Sequence, residues 1–156
     1  MRPGSKSRRF ALCRRIARAL LVPVLLGAAA PARASEWVGV NRHLGRFAVY
    51  LDQSDIRRKG RAEEVQVLFD LAAPQDAPRQ IARYRSVKEE LLLHCPQHSY
   101  ARVSETMYSG LHGRGKVVGK LAWAPGKRKF KPAVAFTDSQ AIVGFACDRA
   151  AVRAKN

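Results

Sequence analysis

Two short clusters of basic residues are the part of this sequence whose composition and spacing best suit a binding function. Both have three consecutive basic residues, then one other residue, then a fourth basic residue. The candidate binding residues are Arg57, Arg58, Lys59 and Arg61 in the first cluster, and Lys127, Arg128, Lys129 and Lys131 in the second. If the second cluster is extended, its three lysines share one face at a spacing that suits a repeating anion. Sulfated glycans, lipopolysaccharide phosphates and nucleic acid all fit such a face, whereas two solvated turns are the alternative.

A metal-ligating pattern is incomplete in the region around the second cysteine. His94 and His98 have the i, i+4 spacing that places two ligands on one side of a helix. Pro96 interrupts such a helix, and no carboxylate or further ligand follows at a suitable spacing. We therefore expect no metal site.

Motifs typical of catalysis are also incomplete. Gly110–Lys116 has the spacing of a phosphate-binding loop, but Val117 stands where Ser or Thr should hold magnesium, and a strand pattern follows. Glu63-Glu64 and Glu89-Glu90 are adjacent acids, which point to opposite faces of a strand. Serines lack a nucleophile motif. The sequence therefore predicts a binding domain, with no catalytic residues and no cofactor.

The N-terminal 34 residues have the order of a secretory signal peptide. A basic segment without acids precedes an apolar stretch, Ala19–Ala30, and Ala32-Arg33-Ala34 follows with small residues where signal peptidase reads them. We expect residues 1–34 to be removed by cleavage before Ser35, leaving residues 35–156 as one exported domain. The alternative is a membrane-anchoring helix, which the prolines in this segment disfavour. Cys13 precedes the apolar stretch, so it cannot be a lipoprotein's lipidated cysteine.

Removal of this segment changes the charge and the cysteine count. The 156-residue chain has 29 basic and 12 acidic residues and a net charge of +17. Eight basic residues and no acids leave with the signal, so the mature domain has a net charge of +9. Cys95 and Cys147 remain, and two cysteines in an exported domain most simply form one disulfide, with two free buried thiols as the alternative.

Alternation of hydrophobic and polar residues predicts a strand-rich domain. The clearest strand is Glu64–Leu71, with Val65, Val67 and Phe69 on one face. Further extended segments are predicted at Phe47–Asp52, from Ile81 towards Cys95, at Ser99–Ser109 and at Val117–Trp123. Turns or loops are predicted at Arg57–Arg61, Ala72–Pro78 and Gly110–Gly115.

The C-terminal region favours a helix. Thr137 or Asp138 can cap it, and several alanines follow, although Ile142-Val143 would also suit a strand. Leu91–Leu93 is likewise ambiguous between strand and helix. Strands followed by one helix predict an α+β domain on an antiparallel sheet.

Short motifs between Glu36 and Asp148 carry a family resemblance. They are Trp37, Tyr50-Leu51-Asp52, Ile56, Gly60, Cys95, Tyr108, Trp123, Pro125-Gly126 and Cys147. With these residues the chain resembles the surface-adhesin protein E family of Gram-negative bacteria. The resemblance implies a single antiparallel sheet of about six strands, with a C-terminal helix over 141–147 tethered to it by a disulfide.

The resemblance also implies a non-enzymatic domain that binds host extracellular-matrix and plasma proteins, with a homodimer as a further expectation. Because a lipidation cysteine is missing after the signal, we expect a periplasmic or secreted protein without a transmembrane span. Its ligand would be a host matrix protein or an anionic glycan, and the alternative is a periplasmic envelope protein that holds anionic lipid or glycan. Sequence-specific binding of nucleic acid is not expected, because no DNA-reading motif occurs.

Overall fold

Buried and exposed side chains alternate along most of this chain, and the strands follow that alternation. The computed structural model describes residues 34–43, 46–77 and 82–155, which lie in one compact unit, Ala32–Asn156. The strands are β1 (Trp37–His43), β2 (Phe47–Asp52), β3 (Arg57–Lys59), β4 (Ala62–Asp76), β5 (Arg83–His94), β6 (Ser99–Tyr108), β7 (Val117–Ala122) and β8 (Lys131–Pro132). A single α-helix in the described residues, α1 (Asp138–Arg153), follows them. Apart from Ala34, the predicted signal peptide lies outside the described residues.

All the strands in the described ranges form one antiparallel sheet. Its main path has the order β1-β2-β4-β5-β6-β7, while short β3 pairs with β4 and short β8 pairs with β6. The six strands of the main path confirm the expected architecture, and the two short strands bring the total in the described residues to eight. The antiparallel α+β fold predicted from the sequence is confirmed.

The hydrophobic core lies between one face of the sheet and the helix. Val65 and Val67 of β4 and Leu91 and Leu93 of β5 are almost fully buried on this face. From the helix, the side chains of Ile142, Val143 and Ala146 pack against them. Because this interface removes most of the apolar surface from water, it is the main source of stability for the fold.

A disulfide connects the helix to the sheet. Cys95, in the turn after β5, is bonded to Cys147 of α1, with their Cα atoms 5.6 Å apart. Near the end of the helix, the Arg153 guanidinium donates hydrogen bonds to the carbonyl oxygens of Ile56 and Gln53 at 2.8 and 2.7 Å. The predicted cysteine pair is confirmed, and the alternative of two free thiols is wrong.

Several boundaries differ from the sequence prediction. The turn expected over Arg57–Arg61 is wrong for its first three residues, which form β3 against β4. The loop expected over Ala72–Pro78 is wrong up to Asp76, because β4 continues past an irregularity in its pairing and bonds again with the start of β5. Leu91–Leu93 is strand, and β1 was not predicted. In each case pairing with a neighbouring strand, which a local pattern does not contain, decides the conformation.

Candidate anion-binding cavity

A cavity lies beside β6, under the segment that follows β7. The backbone N–H of Trp123 donates a hydrogen bond to the carbonyl of Val103 at 2.9 Å, and β8 pairs with Ser99 and Tyr100. Because both ends of this segment are fixed to β6, it encloses a cavity of about 330 Å³. We call it the cationic cavity, and its lining residues are Tyr100, Arg102, Trp123, Lys127, Arg128, Lys129 and Lys131.

All four residues of the second basic cluster line the cationic cavity. The sequence allowed an extended conformation for this cluster, and the structure differs from it. Lys127 ends a short 3₁₀ turn, and only Lys131 of the cluster is in a strand. The Arg128 Nε donates a hydrogen bond to the Trp123 carbonyl at 2.9 Å, which holds its guanidinium at the cavity wall. In the part of the chain that the structure describes, none of the four forms a salt bridge with an acidic side chain.

The first basic cluster is in a different electrostatic state, because acidic residues neutralise most of it. Arg57 pairs with Asp55 and Lys59 with Glu64, while Arg58 Nη1 lies 2.9 Å from an oxygen of the buried Glu63. The hydrogen bond from Lys59 lowers the pKa of the Glu64 carboxyl. None of this cluster lines the cationic cavity. Its charge is therefore largely used within β3 and β4.

A buried pair of acids contacts Arg102, one of the residues that line the cationic cavity. Glu89 and Glu105 face each other across β5 and β6 and are only 7% and 8% exposed. Arg102 bridges them, with Nε 3.3 Å from Glu89 Oε2 and Nη1 3.1 Å from Glu105 Oε1. Burial raises the pKa of Glu89 to about 7, and Glu105 adds to the rise while Arg102 opposes it. Sequence reasoning missed this pair because it considered acids adjacent in sequence, whereas strand register brings these two together.

On the face of the sheet that points away from the helix, Asp70 and Ser86 anchor the loop that follows β6. Asp70 accepts a hydrogen bond from the His112 backbone N–H at 2.7 Å, and its other oxygen lies 2.5 Å from His112 Nδ1. The Ser86 hydroxyl donates to the Gly110 carbonyl at 2.6 Å and accepts from the Gly113 N–H at 3.0 Å. Both hydrogen-bonding roles of this serine thus hold the loop after β6 against the sheet.

The histidines considered as metal ligands are not gathered into a site. Cys95 is in the disulfide, and the ring of His94 packs edge-on to Phe130 with centroids 6.3 Å apart. Across the described ranges, the structure contains no group of three or more His, Cys, Asp or Glu side chains placed to hold a metal. A helix long and apolar enough to cross a membrane does not occur among the described residues.

The sheet with a helix tethered by a disulfide, together with the motif residues along it, defines a surface-adhesin-like domain. Residues 37–148 match the family model of surface-adhesin protein E, and the chain belongs to that family. Membership implies an exported or surface protein. No curated protein sequence matches the chain significantly.

Solved structures of Haemophilus influenzae protein E share the fold. One is 16% identical with a TM-score of 0.54, and the match covers 75% of this chain and 87% of that one. Another, crystal form II, has 16% identity and a TM-score of 0.50 over 74% and 97% of the two chains. A structure from non-typeable Haemophilus influenzae has 16% identity and a TM-score of 0.50 over 78% of each chain. At this identity the likeness shows a common architecture.

Proposed function

We propose that this protein is a non-enzymatic, exported binding domain that holds an anionic ligand in the cationic cavity. The observation that carries the proposal is the convergence of Lys127, Arg128, Lys129 and Lys131 on one cavity without an acidic partner in the described residues. Phosphate, sulfate or carboxylate groups would form charge-assisted hydrogen bonds with these donors. The rings of Trp123 and Tyr100 add apolar surface beside the charges.

Ligands of three kinds carry such groups or are suggested by the family. Anionic glycans and anionic lipids present repeated or clustered negative charges, which suit several cations at once. A host extracellular-matrix protein is the ligand that the adhesin family suggests. We place the mature domain in the periplasm or outside the cell, because the predicted signal peptide lacks a lipidation cysteine after its apolar stretch. Assembly as a homodimer stays a prediction.

Two observations support a binding role over catalysis. The Ser86 hydroxyl is occupied by two backbone partners, and Asp70 is engaged with His112 and its backbone. The acids Glu89 and Glu105 are both bridged by Arg102. These polar groups are hydrogen-bonded or paired within the protein. The cations of the second cluster instead line a cavity that a ligand could occupy.

Heparin chromatography of the mature domain tests the proposal. A variant with Lys127, Arg128, Lys129 and Lys131 changed to Ala should elute at much lower salt than the wild type, since it loses the cations that contact the polyanion. The control variant changes Arg57, Arg58, Lys59 and Arg61 to Ala. It removes the same charge, but three of those residues are already paired with acids. Its elution should therefore fall much less.

The elution pattern separates the possible results. Wild-type elution well above about 0.15 M salt, lost only in the cavity variant, supports an anion site. Equal losses in the two variants would show that net charge alone causes retention and would overturn the proposal. Weak wild-type retention would overturn it too and would point to a shaped protein interface, whose affinity survives salt. Thermal unfolding of both variants confirms that each is folded.

A further inference from the structure

A second cavity lies between the start of α1 and the sheet. It has a volume of about 350 Å³, within the range of sites for small ligands. Its hydrophobic lining consists of Phe69 of β4, Leu91 of β5, Val134 before the helix, and Ile142 and Val143 of the helix. We call it the apolar cavity.

The rim of the apolar cavity is polar and locally ordered. Thr137 Oγ1 donates a hydrogen bond to the Val134 carbonyl at 2.7 Å, and the Val134 N–H donates to Ser139 Oγ at 3.1 Å. Asp138 contributes a carboxylate to the same lining. The Arg102 guanidinium and the Glu89 carboxyl also line this cavity, so a ligand there would meet polar groups beside the hydrophobic lining.

Two residues belong to the walls of both cavities. Tyr100 and Arg102 of β6 line both the cationic cavity and the apolar cavity. Arg102 is held in this position by its two bridges to Glu89 and Glu105. Its side chain is 48% exposed, so a ligand in either cavity could reach it. A hydrophobic site thus adjoins a strongly cationic one across a single strand.

We propose that the two cavities form one site for an anionic amphiphile, a lipid with a negatively charged headgroup. Its hydrocarbon chain would lie in the apolar cavity against the half-buried Phe69 and the exposed Val134, and its headgroup would bind Lys127, Arg128, Lys129 and Lys131. This inference rests on the proposed function and adds the chemical class of the ligand.

Charge and polarity favour an amphiphile over a glycan. A polysaccharide is polar along its whole length, so it would use the cationic cavity and leave the exposed part of the neighbouring hydrophobic lining, chiefly Val134, in contact with water. A hydrocarbon chain covers that lining, and each buried methylene group contributes favourably to binding.

Calorimetric titration of the mature domain tests the inference with three probes below their micellar concentrations. Octyl phosphate has a chain and an anionic group, ethyl phosphate keeps the anion with a short chain, and octyl glucoside keeps the chain without charge. We expect octyl phosphate to bind about tenfold or more tightly than either of the others. Changing the four second-cluster cations to Ala should abolish the advantage of octyl phosphate over octyl glucoside, which differs from it in charge.

A variant of the apolar cavity separates this inference from the proposed function. Ile142→Phe fills part of that cavity, so octyl phosphate should bind at least about fivefold more weakly while heparin elution stays unchanged. Ile142 is buried, so circular dichroism must show that the variant is folded. If it is not, Val134→Gln is the second variant, because Val134 is 58% exposed and lines the same cavity.

Each outcome supports or overturns a defined statement. Equal affinity for octyl and ethyl phosphate, with heparin retention intact, would overturn the amphiphile and leave the anion site standing. Octyl glucoside binding as tightly as octyl phosphate would overturn the anionic headgroup. If the wild-type domain neither binds octyl phosphate nor is retained on heparin, the inference and the proposed function are both overturned. Selective, cation-dependent binding of octyl phosphate that Ile142→Phe weakens supports it.

Discussion

At the scale of single residues, the environment of Arg102 shows how charge is distributed at this site. Arg102 is held against two buried acids, whereas Lys127, Lys129 and Lys131 lack an acidic salt-bridge partner in the described residues. A compensated cation offers less to an anion than an uncompensated one, since its field is partly cancelled. If the domain binds an anion as proposed, we expect most of the affinity to come from the second cluster, with Arg102 as a positioning residue.

Glu89 makes stability depend on pH. Its pKa is about 7 in the folded domain against 4.5 for an ordinary glutamate, so the folded state binds more protons between these values. The stability from this group is fully present below about pH 4.5 and is lost as the pH rises through about 7. The unfolding free energy of Glu89→Gln minus that of the wild type should therefore rise by on the order of 2 kcal/mol between pH 5 and pH 8, because only the wild type loses this contribution.

Urea unfolding at a series of pH values measures this difference. The control is Glu64→Gln, because Lys59 lowers the pKa of Glu64 and that group is ionised in both states throughout this range. Glu64→Gln should therefore change the unfolding free energy by the same amount at every pH in the series. A Glu89→Gln difference that is the same at pH 5 and pH 8 would contradict the assignment.

At the scale of elements, one disulfide connects the only α-helix in the described residues to the sheet. The helix covers the central core residues, and the bond joins it to the turn between β5 and β6. The bond closes a segment of 52 positions, so it restricts the unfolded chain considerably. The end of the helix is also held by Arg153, whose guanidinium donates hydrogen bonds to the carbonyl oxygens of Gln53 and Ile56.

Removing the disulfide should weaken the fold without changing its architecture. In the chain-entropy account, changing Cys95 and Cys147 to Ala should lower the unfolding free energy by about 4 kcal/mol. Urea unfolding measures the loss, and thiol labelling of the unreduced mature protein should find no free cysteine. Arg153→Ala, which removes two hydrogen bonds from the same helix, serves as a comparison and should cost less. Two reactive thiols in unreduced protein would contradict the bond.

At the scale of the whole molecule, the net charge does not show where the positive charge is available to a ligand. The chain has a formal net charge of +17, and nearly half of it belongs to the predicted signal peptide. In the described domain, the first basic cluster is mostly paired while the second lines a cavity. The second cluster therefore concentrates four cations, unpaired in the described residues, beside β6, which would attract an anionic ligand to that place.

Export with cleavage before Ser35 is the prediction at this scale. Expression of the full chain in a Gram-negative host should give a periplasmic or secreted protein whose first residue is Ser35 by N-terminal sequencing. A control with Ala32 and Ala34 changed to Arg should remain uncleaved, because signal peptidase requires small residues at these positions. A full-length wild-type chain retained in the membrane would instead support the anchoring-helix alternative.

Much of the fold could be predicted from the sequence, since alternation reports which strand face is buried. Glu64–Leu71, Ser99–Ser109 and Val117–Trp123 all became strands, and Thr137 precedes the predicted helix. The short strands β3 and β8 could not be predicted in this way. Both have basic, exposed residues without a buried face, and only hydrogen bonding to β4 or β6 makes them extended.

The candidate site was predictable in part. Its four cations stand together in sequence, so composition found them, but Tyr100, Arg102 and Trp123 come from separate elements and join them only in space. The sequence treated both clusters alike. The structure distinguishes them, because the acids that pair with Arg57, Arg58 and Lys59 lie on neighbouring chain segments beside the first cluster.

The sequence by itself determined the strand faces, the helix start and the two cysteines available for a bond, because these depend on local pattern and residue type. Only the tertiary structure decided which cluster keeps its charge, that Glu89 meets Glu105, and that an apolar cavity adjoins the cationic one. The physical reason is that Coulomb interactions and desolvation depend on distance and burial in space, which strand register and helix docking set across segments far apart in sequence.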